Sequence, residues 1–400
     1  MSEQKIFQRG LGLKSKVQAP LKQDYRGTLV EQARVNKYLL RAGELTFRLA
    51  KEFGFCYGVD RAVEYAYEAR LRFPDRNIYI TGEIIHNPYV NQRLKDMGIR
   101  FLEGPYGSEQ KFEPAGATDV VLLPAFGVSM DELAILRRIG CVLVDTTCGS
   151  VLNVWKNVER YARDGFTSIV HGKYWHEETK ATVSRAIQFT DGHYLVVRDL
   201  AEAEVTCNYI KKGGETSAFF ERFENAISPG FDPTQHLERI GLANQTTMLS
   251  SESLAIADRL NQAIIQRYGD TEVEDRFRSF DTICSATQER QDAVIDLVKE
   301  GVDMMIVIGG YNSSNTTHLA EIASQYCPTY HIAGSSCLVS AEEIRHKPPG
   351  EEEVVAEWWL PSGPVCIGVT AGASTPDVKV DESIRKILTF RDLDPTDLET

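Results

Sequence analysis

One short pattern recurs three times along this chain of 400 residues, and it constrains the fold more than any other feature of the sequence. The fullest copy is the β-branched run 142–147, which ends in Cys148 and leads into a helix-like pattern. A second copy is Phe280-Asp281-Thr282-Ile283-Cys284, and a looser one is Phe53-Gly54-Phe55-Cys56. Self-similarity of this kind indicates repeated supersecondary units.

The residues that follow each cysteine repeat as well. A strand-like run ends at Gly82, Gly172 or Gly310, which lie 26, 24 and 26 residues after Cys56, Cys148 and Cys284. Each run leads into a polar loop, and strands that alternate with helices predict parallel sheets. Ligands of such sheets bind at the carboxyl ends of the strands, where these loops fall. We therefore predict an α/β fold with three pseudo-threefold-related α/β units and mostly parallel sheets, each offering one cysteine and one polar loop to a shared centre.

The same rhythm predicts how the chain is divided. We expect an N-terminal extension (1–46), three α/β units (47–147, 148–283 and 284–385) and an acidic tail (386–400). Residues 205–239 interrupt the second unit with glycine, proline and phenylalanine clusters, and we expect them to form an inserted loop or hairpin.

Charge and apolar runs exclude several classes of protein. The net charge is −13, yet residues 1–50 carry five Lys, five Arg and four acids, so that this part is +6 and the remainder −19. An acidic body is a poor match for nucleic acid. No run has the length of a membrane span and the first residues lack the apolar segment of a secretory signal. We therefore expect no nucleic-acid partner and no membrane contact, and a location in a reducing compartment such as the cytoplasm.

The basic N-terminal segment has two interpretations. It could be a targeting segment, since transit peptides are rich in Arg and poor in acids, but those are also rich in Ser and this one is not. We favour a surface arm that packs on the body or is partly ordered.

The repeated cysteines point to a metal centre. In a reducing compartment the eight cysteines are not a disulfide framework, and no Cys-x-x-Cys is present. Three thiolates that meet on a pseudo-threefold axis would repel one another unless a cation lay among them. A structural zinc would usually need a fourth ligand, whereas a [4Fe–4S] cluster held by three cysteines would leave one iron open. We favour the cluster. The other five cysteines are interpreted as core or loop residues.

The polar loops supply hydrogen-bond donors. His86, Lys173, His176, Ser374 and the run Ser313-Ser314-Asn315 stand at strand ends that lead into helices, an arrangement suited to phosphate or diphosphate. The Ser-Ser-Asn run could equally be a helix cap, and either histidine alone is more often structural. Glu178 is the best placed carboxylate for proton delivery, although an acid in the first turn of a helix has the same spacing.

With these features the chain resembles the 4-hydroxy-3-methylbut-2-enyl diphosphate reductase family, in its cyanobacterial and plastid form, over about residues 51–388. The plastid form implies the plastid stroma if the source is eukaryotic. The resemblance rests on motifs that occur in one order: Gly54-Phe55-Cys56-Tyr57-Gly58-Val59, Ile85-His86-Asn87, Asp145-Thr146-Thr147-Cys148, His176-Glu177-Glu178, Gln245-Thr246-Thr247, Cys284-Ser285-Ala286-Thr287, Asn312-Ser313-Ser314-Asn315 and Thr370-Ala371-Gly372-Ala373-Ser374.

The resemblance implies a function and a role for each motif. The function is reductive dehydration of the allylic diphosphate to isopentenyl and dimethylallyl diphosphate in the non-mevalonate isoprenoid pathway, with the substrate hydroxyl on the open iron of a [4Fe–4S] cluster and with ferredoxin or flavodoxin as electron donor. Glu178 and Thr246 would position the hydroxyl and relay protons. The implied cluster ligands are Cys56, Cys148 and Cys284, and the implied diphosphate ligands are His86, His176, Ser313, Ser314, Asn315 and Ser374.

One residue departs from the bacterial pattern, and two other functions stay open. Many bacterial members have a histidine where this chain has Phe126, so that one wall of the diphosphate site loses a donor for which Lys173 could compensate.

A quinolinate-synthase-like iron–sulfur dehydratase shares the three-unit, three-cysteine design and needs no external electrons. A non-catalytic anion-binding protein with a structural zinc at the three cysteines is the third possibility.

Overall fold

A computed structural model describes residues 5–104, 107–280 and 282–399 of the chain. Asp281, which belongs to the third cysteine motif, lies outside the described residues. None of the helices in the described ranges combines the length and the apolar character needed to cross a membrane.

The strands of the structure, in chain order, are β1 (Ile6–Phe7), β2 (Leu39–Ala42), β3 (Leu45–Leu49), β4 (Ile78–Ile80), β5 (Ile99–Phe101), β6 (Val120–Leu123), β7 (Val142–Asp145), β8 (Thr167–His171), β9 (Tyr194–Val197), β10 (Ile240–Asn244), β11 (Phe277–Ser279), β12 (Met304–Ile308), β13 (Thr329–Ile332), β14 (Glu343–His346), β15 (Val354–Glu357) and β16 (Val365–Ala371).

The α-helices are α1 (Lys14–Tyr25), α2 (Thr28–Val35), α3 (Tyr57–Arg72), α4 (Pro88–Asp96), α5 (Glu109–Phe112), α6 (Met130–Ile139), α7 (Gly149–Arg163), α8 (Glu177–Ala186), α9 (Leu200–Lys212), α10 (Thr216–Phe223), α11 (Pro233–His236), α12 (Ser250–Tyr268), α13 (Val273–Arg276), α14 (Ser285–Lys299), α15 (Ser314–Ser324) and α16 (Asp377–Thr389). Short 3₁₀ helices occupy Asp270–Glu272, Ser335–Cys337 and Pro395–Asp397.

Three sheets carry the fold, together with a small antiparallel pair formed by β14 and β15. The first sheet has the order β1-β7-β6-β4-β5, the second β11-β10-β8-β9 and the third β13-β12-β16-β3-β2. The neighbouring strands whose register is described pair in parallel, except that β2 runs antiparallel to β3. The predicted α/β class with mostly parallel sheets is confirmed.

Internal contacts divide the chain into two compact units. The first unit consists of Met1–Gln8, Asp75–Gly82 and Arg100–Cys284 and contains the second sheet and most of the first. The second unit consists of Arg9–Pro74, Glu83–Ile99 and Ser285–Thr400 and contains the third sheet. Strand β3 crosses the predicted boundary between residues 46 and 47 and pairs with β16 in the third sheet, because parallel pairing joins segments that are far apart in sequence. The domain boundaries themselves stay a prediction.

Local sequence explains the central elements. Strands β8, β10 and β12 are buried along their whole length, as expected for parallel strands covered on both faces. Helix α7 buries Val151, Val154 and Val158 on one face, so that the amphipathic helix predicted after Cys148 is confirmed. Helices α3 and α14 follow the other two repeated cysteines directly.

The segment 205–239 is helical, and the expected loop or hairpin is wrong. Helices α9, α10 and α11 cover most of it. Phe219 and Phe223, four residues apart on one face of α10, are buried with Phe231 in the core of the second sheet. The glycine and proline residues therefore separate short helices instead of shaping a hairpin.

The N-terminal extension is folded into the second unit. Val30 and Ala33 of α2 and Leu40 of β2 are fully buried in the core that covers the third sheet. Two backbone N–H groups at the start of α2, those of Leu29 and Val30, donate to the carboxylate of Asp381, each at 2.9 Å. Residues of this segment therefore lie in the hydrophobic core of the second unit, whereas we favoured a surface arm.

Candidate functional site

The predicted site residues form two groups, and the structure brings the members of each group together within its own unit. The first unit contains Cys148, His176, Glu178, Thr246 and Cys284, and the second unit contains Cys56, His86, Ser313, Ser314, Asn315 and Ser374.

Two of the three repeated cysteines meet at the start of α7. Cys148 is the N-cap residue of this helix, and its N–H donates to the carbonyl of Ala125 at 2.8 Å. Ser150, in the first turn of the same helix, donates its hydroxyl to Sγ of Cys284 at 3.2 Å. A sulfur at a helix N-terminus and a sulfur that accepts an O–H donor are both placed where a negatively charged metal centre would be stabilised.

A chain of hydrogen bonds joins Cys284 to Glu178. The N–H of Cys284 donates to the carbonyl of Thr246 at 3.3 Å, and the N–H of Thr246 donates to Oε1 of Glu178 at 2.6 Å. Only 3% of Glu178 is exposed. The carboxylate predicted for proton delivery is therefore fixed beside the threonine predicted to act with it, although the two are 68 residues apart in sequence.

His176 is oriented by the same helix start. It is the N-cap residue of α8, and its Nδ1 accepts the N–H of Glu178 at 3.1 Å. Because Nδ1 accepts, the proton of the neutral ring lies on Nε2, which makes Nε2 a donor. The ring of Phe126 makes an edge-to-face contact with His176, with 6.2 Å between ring centroids. The phenylalanine that replaces the bacterial histidine thus packs against a predicted diphosphate ligand.

Gln245 organises this region and was not among the predicted site residues. Its buried side chain accepts the N–H of Lys173 and the hydroxyl of Thr179 through Oε1, each at 3.1 Å. A Cβ at Gly172 would lie 2.9 Å from the Thr179 hydroxyl, so that glycine permits this close approach. The Gln245-Thr246-Thr247 motif drew attention to this segment in the sequence, but only the folded structure shows that Gln245 binds Lys173 and Thr179.

In the second unit, Cys56 lies on a turn docked against the end of β16. Its N–H donates to the carbonyl of Ala373 at 3.2 Å, and the N–H of Gly54 donates to the carbonyl of Ala371 at 3.2 Å. Gly54 has φ +75°, a conformation that favours glycine. Cys56 is the N-cap residue of α3, as Cys148 is of α7.

The run from Ser313 to Asn315 opens α15. Ser313 is the N-cap residue, and its Oγ accepts the N–H of Thr316 at 3.4 Å, so that the cap interpretation holds for this serine. Asn315 accepts the N–H of Ala373 through Oδ1 at 2.8 Å and is 2% exposed. Its Nδ2 has no hydrogen-bond partner among the described residues. A buried amide donor without an acceptor is costly, unless a ligand supplies the acceptor.

His86 and Ser374 complete this group. Ser374 donates its hydroxyl to the carbonyl of His86 at 3.1 Å. The ring nitrogen Nδ1 of His86 lies 2.8 Å from Oε2 of Glu83, which also accepts Nδ2 of Asn312 at 3.1 Å. The carboxylate keeps a proton on Nδ1 and fixes the orientation of the ring. Glu83 was not predicted, and nothing in its local sequence distinguishes it from a surface acid.

Cysteines outside the repeat have environments suited to the core. Burial raises the pKa of the Cys141 thiol to about 11 and that of Cys207 to about 12. Burial also raises the pKa of Cys327 and Cys366. Thiols that stay protonated are poor metal ligands. Within the ranges that the structure describes, no group of three or more His, Cys, Asp or Glu side chains surrounds one point as the ligands of a single metal ion.

Comparisons with known proteins agree on one family. The family model described as "LytB protein" matches residues 47–388. The chain is 49% identical over 391 residues to the 4-hydroxy-3-methylbut-2-enyl diphosphate reductase of Thermosynechococcus vestitus, covering 98% of this chain and 96% of that protein. It is 50% identical over 396 residues to the protein of the same name from Gloeobacter violaceus, covering 98% and 94%. The fold matches the solved structure of the E-1-hydroxy-2-methyl-but-2-enyl-4-diphosphate reductase from Plasmodium falciparum with a TM-score of 0.65, at 20% identity over 88% of this chain and 91% of that one.

Proposed function

The chain belongs to the LytB protein family, and we propose that it catalyses the reductive dehydration of 4-hydroxy-3-methylbut-2-enyl diphosphate to isopentenyl and dimethylallyl diphosphate. Relatives that are 49% and 50% identical over nearly the whole chain carry the name of this reductase. The match over both units supports the same reaction here.

The observation that carries the proposal is the unpaired amide of Asn315. Its Nδ2 is buried at the first turn of a helix, where the dipole and the nearby N–H groups favour an anion. Ser314 lies beside it in the same turn, and the backbone N–H of Ala373 fixes its other amide atom. A phosphate oxygen supplies the acceptor that this donor lacks.

We propose that the diphosphate is held by His86, His176, Ser313, Ser314, Asn315 and Ser374. The structure supports this assignment in each unit separately. His176 offers Nε2–H because its other ring nitrogen accepts a backbone N–H. The carboxylate of Glu83 orients His86. Ser374 is 7% exposed, and its hydroxyl, which donates to the His86 carbonyl, can rotate toward another acceptor.

The family is known to use an iron–sulfur cluster. We propose a [4Fe–4S] cluster with Cys56, Cys148 and Cys284 as its ligands. The donor set fits, because Cys56 and Cys148 are N-caps, Cys284 directly precedes α14, and all three side chains are half-buried and form no disulfide. When bound, such a cluster supplies electrons one at a time and an open coordination position for the substrate hydroxyl.

We propose that Glu178 and Thr246 orient the substrate hydroxyl and deliver the protons needed to remove it as water. The N–H of Thr246 donates to Oε1 of Glu178, so that the carboxylate is fixed beside Thr246. Glu178 is buried, which keeps bulk water away from the proposed proton transfer. The reaction consumes two electrons and two protons and releases one water molecule.

An external one-electron carrier is implied by this stoichiometry. We propose ferredoxin or flavodoxin, since no nicotinamide-binding fingerprint occurs in the sequence.

The two alternative functions, a zinc-containing anion-binding protein and an iron–sulfur dehydratase, predict other observations. A structural zinc at the three cysteines would give a protein that contains zinc and no iron or sulfide. A quinolinate-synthase-like dehydratase would turn over without any electron donor.

The test is anaerobic purification with iron and sulfide analysis, followed by turnover of the allylic diphosphate with and without a one-electron reductant. We expect about four iron and four sulfide per chain and strictly reductant-dependent turnover. Cys148→Ser should lose the iron, whereas Cys327→Ser, a matched change at a half-buried cysteine outside the repeat, should keep it. Zinc in place of iron, or turnover without reductant, would contradict the proposal.

A further inference from the structure

A buried arginine contacts the turn that precedes Cys56. Arg290 lies in α14 and is 3% exposed. Its Nη2 and Nε donate to the carbonyl of Gly54 at 2.9 and 3.2 Å, and Nη2 also donates to the carbonyl of Phe55 at 3.3 Å. Nη1 donates to the carbonyl of Ala286 at 2.7 Å. The guanidinium thus binds the two residues directly before the proposed ligand, and all of its partners are neutral carbonyl groups.

The structure shows no carboxylate that balances this charge. In the described part of the chain no acid lies within 4.0 Å of the Arg290 guanidinium. Asp377, which lies next to Gly54, is held by Arg34 at 2.8 Å and by Arg26 at 3.4 Å, and Asp60 interacts with Arg26. An arginine does not lose its proton in a protein, and a buried charge without a counter-charge is expensive.

Neutral carbonyl groups satisfy the hydrogen bonds of a guanidinium but not its charge. They orient their negative ends toward it and reduce the cost of burial, while the net charge stays uncompensated. An anionic group that binds nearby would supply the compensation that the described residues do not provide within ion-pair distance. Cys56 follows Phe55 in the chain, and a thiolate-bound iron–sulfur centre is the anion that the proposed function provides.

We propose that Arg290 is a positioning residue for this centre: it fixes the 53–56 turn so that Cys56 can serve as a ligand, and it supplies the positive charge behind that ligand. The inference rests on the proposed cluster and goes beyond it by assigning a residue whose described hydrogen bonds all go to backbone carbonyls. A nearby cation stabilises the reduced, more negative form of a cluster and so raises its reduction potential.

Arginine suits this position better than lysine does. The planar fork reaches two successive carbonyls of the turn and one carbonyl of its own helix, whereas an ammonium group is a compact point charge. The two roles, geometry and charge, can therefore be separated by substitution. Arg290→Lys keeps the charge and loses the fork, while Arg290→Gln loses the charge and keeps a hydrogen-bond donor.

The experiment is a redox titration of the anaerobically purified protein, followed by electron paramagnetic resonance, together with the rate of iron release to a chelator. We expect Arg290→Gln to make one-electron reduction about tenfold less favourable, a fall of about 59 mV in midpoint potential. Arg290→Lys should change the equilibrium constant for reduction by less than twofold, and it should release iron several times faster than the wild type. Arg267→Gln is the control, because Arg267 also binds a backbone carbonyl, that of Ile210 at 2.8 Å, and its loss changes the net charge equally.

Each outcome decides a separate question. A full cluster with an unchanged potential in Arg290→Gln contradicts the charge role, and wild-type iron release from Arg290→Lys contradicts the positioning role. Equal shifts in Arg290→Gln and Arg267→Gln would reduce the effect to net charge and would also overturn the inference. If Arg290→Gln does not fold, the Lys variant still tests the positioning role. A wild-type protein without iron and sulfide would instead contradict the proposed function.

Discussion

Replacing Glu178 by glutamine separates the proton chemistry of the proposed site from its architecture. The side chain is buried and its Oε1 accepts the N–H of Thr246 at 2.6 Å. Glutamine has the same shape and keeps an Oε1 acceptor for that N–H. It cannot deliver a proton as a carboxylic acid does. Glu178→Gln therefore removes the proposed function of the residue and preserves its main contact.

The expected effects on stability and on turnover differ widely in size. Changing a charge-assisted hydrogen bond into a neutral one costs about 1 kcal/mol, which leaves the fold intact. Loss of a positioned general acid lowers turnover by about 10²- to 10⁴-fold, or about 3–5 kcal/mol in activation free energy. The substrate should still bind, because the proposed diphosphate ligands are unchanged. We expect kcat to fall and KM to stay within about threefold.

The assay is steady-state reduction of the allylic diphosphate with an artificial one-electron donor, with iron content measured on the same samples. Glu177→Gln is the matched control. Glu177 stands in the same first turn of α8, so that the same change in charge and the same helix-dipole effect occur one residue away. We expect the control to retain most of the wild-type rate and both variants to retain full iron.

Two results would refute this reasoning. A Glu178→Gln rate near that of the wild type would remove the carboxyl group from the mechanism. Equal losses in Glu177→Gln and Glu178→Gln would show that the effect comes from the charge at the helix start and not from a proton delivered at one oxygen.

Three further perturbations test other parts of the structure. Gly127→Ala should lower the free energy of unfolding in urea by about 2–4 kcal/mol, because Gly127 has φ +78° and a Cβ there would also collide with Trp155. The control Gly140→Ala has a similar φ of +76° but open space around the new Cβ, and it should lose only about 1 kcal/mol. Burial lowers the pKa of His331 to about 4, so that the unfolded chain binds a proton at a higher pH than the folded chain does. Between pH 6.5 and pH 4 the free energy of unfolding should therefore fall by on the order of 3 kcal/mol more in the wild type than in His331→Gln. Parallel plots of unfolding free energy against pH for the two proteins would contradict this. Asn315→Asp keeps the acceptor for Ala373 but replaces the Nδ2 donor with a negative charge, and substrate affinity measured by calorimetry should fall about 100-fold; an unchanged affinity would exclude Asn315 from the diphosphate site.

Some features of the site could be read from the sequence because they are local. A cysteine followed by an apolar 3.6-residue period predicts a helix that begins at the cysteine, and α3, α7 and α14 begin directly after Cys56, Cys148 and Cys284. The polar residues that follow buried strands likewise fall at helix starts, as Ser313 and His176 do. The helices within 205–239 were missed because glycine and proline clusters separate short helices as readily as they form turns.

What the sequence by itself determined is therefore the kind of element and the residue type at each element end, since both follow from interactions between near neighbours in the chain. The tertiary structure alone decided which ends meet. The pairing of β3 with β16, the bond from Thr246 to Glu178 and the contact of Arg290 with a carbonyl 236 residues away join segments whose local patterns carry no information about one another. Packing of the sheets selects those partners, because only the folded backbone brings a buried donor to an acceptor that can satisfy it.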